Sequence, residues 1–170
     1  MRLQAVLRYP VEPARVVAMI ADPEYQHRVI AATQGTAEAV DVTGDASGVG
    51  AFTVTTRRWV PTDQIPPQMR SFVGATLDVR QAIAWGEEED GIRRGSVALE
   101  IAGAPVRVTG TTHLVGTPEG TSVLEYDTQV RAQVPLFASA VEEAAAGAVR
   151  HALAAEERVG LEWLREHGGA

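Results

Sequence analysis

The chain has 170 residues, 45% hydrophobic and 22% charged, a balance that excludes intrinsic disorder and suffices for a buried core. Its 22 acidic against 15 basic side chains give a net charge of −7, the reverse of what phosphate neutralisation needs, so nucleic acid is not an expected partner. There is no cysteine and every one of the 15 basic residues is arginine, which excludes disulfides, thiolate chemistry and a lysine Schiff base.

Leu3, Ala5, Leu7 and Tyr9 alternate with polar residues, the period of a half-buried strand. Pro10 and Pro13 end it, and the stretch carries Arg8, so it does not read as a secretory leader. Residues 14–20 and 24–32 read as two short helices, divided at Asp22-Pro23 and closed near Gly35. Six further strands are predicted over 36–43, 50–60, 75–86, 92–102, 105–116 and 121–132. Turn-formers separate them: Gly44 to Gly48, Glu87 to Gly91, Gly103-Ala104-Pro105 and Pro118-Glu119-Gly120. From Leu136 to His167 there is no proline and the apolar spacing changes to three and four, which predicts one long helix with Pro135 at its first position. No apolar run is long enough to cross a bilayer, so a cytoplasmic protein without stable membrane insertion is expected.

Short strands joined by tight turns favour antiparallel hairpins. The expected fold class is therefore α+β: one domain spanning 1–170, a seven-stranded curved antiparallel sheet wrapped around the long C-terminal helix, with two short helices after the first strand. The wording along the chain also carries a resemblance. Tyr9-Pro10, Pro13-Ala14-Arg15-Val16 and Asp22-Pro23-Glu24-Tyr25 are followed by Val60-Pro61-Thr62-Asp63-Gln64-Ile65-Pro66 and Trp85. Then come Glu100-Ile101-Ala102-Gly103-Ala104-Pro105, Val134-Pro135-Leu136, Glu142 and Trp163-Leu164. In this order the chain resembles the helix-grip fold of the START-like (SRPBCC) superfamily, which includes birch-pollen allergen relatives and polyketide cyclases. Within it, the chain is most similar to the bacterial domain-of-unknown-function family 2505. The resemblance implies a cavity between sheet and helix able to hold an apolar small molecule, and it implies no reaction.

A search for catalytic patterns finds none. His27, His113, His151 and His167 have no partner histidine at metal-binding spacing. Asp22, Glu24 and His27 fit a solvated helix start, and Glu87 to Asp90 fit a hairpin turn. No phosphate loop or nucleophile elbow is present. Neither a metal nor a cofactor is expected, and nothing sets an oligomeric state.

Strand alternation is more informative. It turns Phe52, Val54, Leu77, Val79, Ile83, Trp85 and Leu99 inward, together with the polar Arg58, Gln81, Thr112, Tyr126 and Thr128. On the long helix an inner stripe reads Phe137, Val141, Ala144, Ala148, Ala152, Ala155, Val159 and Trp163, with Ala146 on another side. Two arrangements satisfy this pattern. Either the polar groups pair with one another or with trapped water in a closely packed core, or they meet the head group of an apolar small molecule or lipid. The segment 61–74 reads as a short amphipathic turn that serves as a lid over the pocket or a plug on the core edge.

The leading functional expectation is thus a binding protein for an apolar small molecule. The alternatives are a cyclase- or dehydratase-like enzyme in which Tyr126, Arg58 or Gln81 polarises a carbonyl, and a protein-interaction module without ligand. No histidine or carboxylate is read as facing inward, which counts against an enzyme.

Overall fold

The computed structural model describes residues 1–62, 70 and 74–168. Strand β1 (Arg2–Tyr9) leads into helices α1 (Pro13–Ile20) and α2 (Pro23–Ala32). Six strands follow: β2 (Thr36–Gly44), β3 (Phe52–Pro61), β4 (Thr76–Glu89), β5 (Ile92–Ala102), β6 (Val106–Gly116) and β7 (Ser122–Ala132). The long helix α3 (Ala138–His167) closes the order. The sheet runs β1-β7-β6-β5-β4-β3-β2 with every neighbour antiparallel. The expected α+β helix-grip architecture is the one observed. The middle of the 61–74 segment, read as a lid or plug, lies outside the described residues.

Local chemistry accounts for the boundaries. Both short helices begin on proline, and the Asp22 carboxylate accepts the Glu24 N–H at 2.8 Å, capping α2. Between β4 and β5, Asp90 and Gly91 take φ of 53° and 74°. These are successive left-handed residues, as a two-residue hairpin requires, and Glu89 pairs with Ile92 across the turn. β4 slips register between Trp85 and Glu88, and Arg93 uses the resulting kink. This arginine is 2% exposed and donates to the carbonyls of Gly48, Gly50 and Gly86 at 2.7–2.9 Å, tying the β2–β3 loop to β4.

α3 begins three residues later than the proline rule predicts. Pro135 to Phe137 form a turn, and Leu136 adopts φ 68°, a left-handed conformation that no α-helical residue can share. From Ala138 onward the helix packs on β1, β7 and β6 and against α1 and α2. The core forms two apolar clusters. The larger gathers α1, α2 and the C-terminal half of α3 over Leu7, Tyr9, Phe52, Trp85, Leu114 and Leu124. The smaller joins Leu3, Val108, Val130 and Ala146 under the N-terminal half of the helix. Among the described residues, no helix is long and apolar enough to cross a membrane.

Candidate functional site

The inner face of the sheet follows from the pairing register. One row runs Phe52, Trp85, Gly95, Thr112, Tyr126 and Ala5; the neighbouring rows contain Val54, Ile83, Val97 and Thr128, then Thr56, Gln81, Leu99 and Val108. Phe52, Val54, Val79, Ile83, Trp85, Thr112, Tyr126 and Thr128 are buried, as strand alternation predicts. Arg58, Leu77, Gln81 and Leu99 keep intermediate exposure. Gly95 lets the row close up: a Cβ there would lie 2.9 Å from Thr112 Cγ2 and 3.1 Å from Trp85 Cε3.

The helix stripe needs correction. Phe137 is 60% exposed, at the turn before α3, and Ala148 is exposed, whereas Ala146 is fully buried. Val141 and Ala144 are only partly covered. In the N-terminal half the inward side carries Glu142, Ala146, Val149 and Leu153, one or two residues on from the apolar stripe read in the sequence; farther along, the stripe's Ala155, Val159 and Trp163 are buried as read, with Glu156 and Gly160 beside them. The cause is chemical. Two of these inward positions are glutamates, and an apolar-only reading steps around them.

Both glutamates have built partners. Glu142 Oε1 accepts the backbone N–H of Ala132 at 3.1 Å, and its other oxygen pairs with the Met1 ammonium at 3.0 Å. Glu156 lies deeper. Its Oε1 accepts the Tyr126 hydroxyl at 3.0 Å, while the Tyr25 hydroxyl donates to its backbone carbonyl at 3.3 Å. Tyr9 completes a cluster of three buried tyrosines. One turn beyond Glu156, Gly160 makes room for Tyr9, because a Cβ at that position would sit 2.6 Å from the ring.

Opposite this cluster, Arg58 reaches inward from β3. It donates to Thr56 Oγ1 at 3.0 Å and to Gln81 Oε1 at 3.2 Å, both neutral. Among the described residues it has no ion pair within 4.0 Å, although the charge of Glu156 is felt at Arg58. A guanidinium and a carboxyl therefore face each other across the interior without touching. Burial dominates the titration of both. It lowers the Arg58 pKa and pushes Glu156 up to about 7, against the opposing effects of the Tyr126 hydrogen bond and the Arg58 charge. Burial first, and then the Glu156 charge, raise all three tyrosines, which stay neutral donors. Among the described residues, two further buried polar atoms on this side lack a partner: Trp85 Nε1 and Thr112 Oγ1.

Sequence reasoning thus placed Arg58, Gln81, Thr112, Tyr126 and Thr128 inward and put Tyr9 on the apolar face of β1, but missed Glu156 and Tyr25 as polar members of the interior. The reading that no carboxylate faces inward is corrected by the Tyr126–Glu156 bond. A signal for Glu156 was present: it stands three residues after Leu153, three before Val159 and four before Gly160, the spacing of an inward helical position.

Known proteins agree with this architecture. An aromatase/cyclase, ZhuI from Streptomyces sp. R1128, superposes with a TM-score of 0.60 at 13% identity, covering 100% of this chain and 96% of that one. Truncated norcoclaurine synthase from Thalictrum flavum gives 0.56 at 16% identity, over 95% and 94%. The protein TTHA0849 from Thermus thermophilus gives 0.57 at 15% identity, over 95% and 98%. At such identities these likenesses establish the helix-grip fold alone. The uncharacterised protein Rv0481c of Mycobacterium tuberculosis is 27% identical over 130 residues, spanning 76% of this chain and 75% of the relative. Matched over residues 4–164, this chain belongs to the family described as Protein of unknown function (DUF2505).

Proposed function

We propose that this protein binds a small molecule with an apolar body and one polar end, held between the inner face of the sheet and α3. The observation that carries this reading is the separated pair Arg58 and Glu156. Buried charged groups normally pair directly, because each pays heavily for leaving water. Among the described residues, the guanidinium is met by Thr56 and Gln81, and the carboxyl by Tyr126. The unpartnered Trp85 Nε1 and Thr112 Oγ1, and the incomplete cover over Arg58, Gln81 and Leu99, support space for a guest on this side. Val54, Val79, Ile83 and Leu99 would receive its apolar body.

The test is mass spectrometry under native conditions with extraction of bound lipid, followed by thermal shift against an apolar library. A bound molecule raises the melting temperature by mass action. A protein that emerges empty and is stabilised by no library member sinks the reading.

A second reading has its own observation. Glu156, titrating near neutrality beside Tyr126, has the properties of a general acid or base, and the fold is shared with an aromatase/cyclase. In that case Tyr126→Phe and Glu156→Gln would slow turnover of a candidate polyketide at least tenfold while leaving its binding intact. Unchanged turnover in both variants would leave only the binding role.

A further inference from the structure

We infer that the guest is an apolar molecule ending in a carboxylate, which pairs with Arg58 and enters together with one proton taken up by Glu156. This inference rests on the binding role proposed above and specifies its ligand and its dependence on pH.

The geometry argues for an anion. A guanidinium carries five N–H donors, of which Thr56 and Gln81 occupy two. The free donors lie in one plane and match the two oxygens of a carboxylate. No described acidic side chain comes within ion-pair distance of them, so among the described residues this half-buried cation has its counter-ion position open. An alcohol or ketone would leave that charge uncompensated.

The same geometry argues for a proton. A carboxylate seated on Arg58 brings a negative charge into the space that Glu156 faces. Two carboxylates sharing a poorly solvated site cannot both stay ionised, so one takes a proton. Arg58 holds the ligand in its ionised form, and the proton therefore goes to Glu156. The neutral Glu156 then gains an O–H that can donate to the ligand while its other oxygen still accepts from Tyr126.

The groups facing Glu156 do not compete for this role. β7 presents Tyr126, β1 presents Tyr9 and α2 presents Tyr25, all held neutral by burial, while β3 presents Arg58. α1 and β6 contribute no charge that shifts it. On α3 itself, Glu157 turns away to accept the backbone N–H of Arg8 at 2.7 Å, and its charge is felt at Tyr9.

The experiment is titration calorimetry of the wild-type protein with dodecanoate and with dodecanol, at pH 6, 7, 8 and 9, in buffers of different ionisation enthalpy. Dodecanoate is expected to bind with uptake of close to one proton at pH 8 and above, and its affinity should fall about tenfold per pH unit there. Dodecanol should bind at least tenfold more weakly at pH 6, with no proton uptake. Glu156→Gln should bind dodecanoate without proton exchange and with a flat pH profile. Arg58→Gln should abolish the preference for dodecanoate over dodecanol. Equal binding of the two probes, or dodecanoate binding without proton uptake by the wild type, overturns the inference and leaves the binding role standing. Binding of neither probe overturns both.

Discussion

At the scale of the residue, two glycines on the same helix show how differently one substitution acts. Gly160 lies under Tyr9, which is 1% exposed, and a methyl group there would meet the ring at 2.6 Å and Met19 Cε at 3.2 Å. A buried ring flanked by α1 and β1 cannot swing aside as an exposed side chain would. Alanine improves helix propensity by about 1 kcal/mol, but overpacking a closed core costs roughly 1–3 kcal/mol. Gly160→Ala should therefore lower stability by about 1 kcal/mol net, with a change in tyrosine fluorescence. Gly147 is exposed and has nothing within 4 Å of the corresponding position. Gly147→Ala should raise stability by roughly 0.5–1 kcal/mol. Urea denaturation of the two variants separates the effects, and a stabilised Gly160→Ala protein would refute the tight Tyr9 contact. Tyr9 is also a case of limited legibility. Alternation turned it inward, but only the fold brings it beside α3 and the Glu156 charge.

At the scale of the element, α3 shows what a sequence pattern can and cannot convey. Its existence and length follow from 30 residues without proline and with spacing of three and four. Its rotation does not, because inward glutamates break the equation of apolar with buried. The C-terminal half survives the error, since Val159, Gly160, Trp163 and Leu164 make the buried arc broad there. The N-terminal half does not, since its alanines offer no contrast between faces and Ala146 and Ala148 exchange roles. The strands were easier. A period of two leaves only two phases, and residues such as Phe52, Trp85 and Leu124 choose between them. Phenylalanine substitution distinguishes the two alanines. Ala146→Phe, wedged among Leu3, Val108 and Val130, should cost about 1–3 kcal/mol or more. Ala148→Phe should cost no more than the roughly 0.5 kcal/mol of lost helix propensity. Equal loss in both variants would contradict the observed rotation of the helix.

At the scale of the whole molecule, the charges set a pH profile with opposing limbs. Asp78 is held down to about 2 by hydrogen bonds and charge from Arg57 and Arg80, and Asp127, Glu142 and Glu166 are lowered by their own partners. These carboxyls stabilise the fold above their unfolded pKa near 4, and that contribution fades as pH falls toward 2. Glu156 acts in the opposite sense. Its folded pKa near 7 exceeds its unfolded value of 4.5, so the folded state keeps a proton that the unfolded chain has lost. Stability then declines as pH rises from 4.5 through 7, by at most roughly 3 kcal/mol, reduced by whatever solvent reaches the carboxyl. The ligand-free protein should therefore melt at its highest temperature near pH 5, well below neutrality. Glu156→Gln should flatten the upper limb, raising the melting temperature at pH 8 while changing it little at pH 4.5. A wild-type maximum at pH 7–8 would show that Glu156 is not desolvated as described.

The pairing of the first strand with the last has a consequence for how the chain is made. Leu7 sits opposite Leu124, and among the described residues no other strand borders β1. At roughly 5–20 residues per second, β1 leaves the ribosome on the order of 6–23 s before the strand that will receive it. The hairpins from β2 to β7 can zip together in the meantime, each with its sequence neighbour. Leu3, Leu7 and Tyr9 have no such neighbour and must wait, an apolar edge on a nascent chain. Their burial is completed only when β7 and α3 arrive, so β1 is made well before its partners and is among the last strands to find its place.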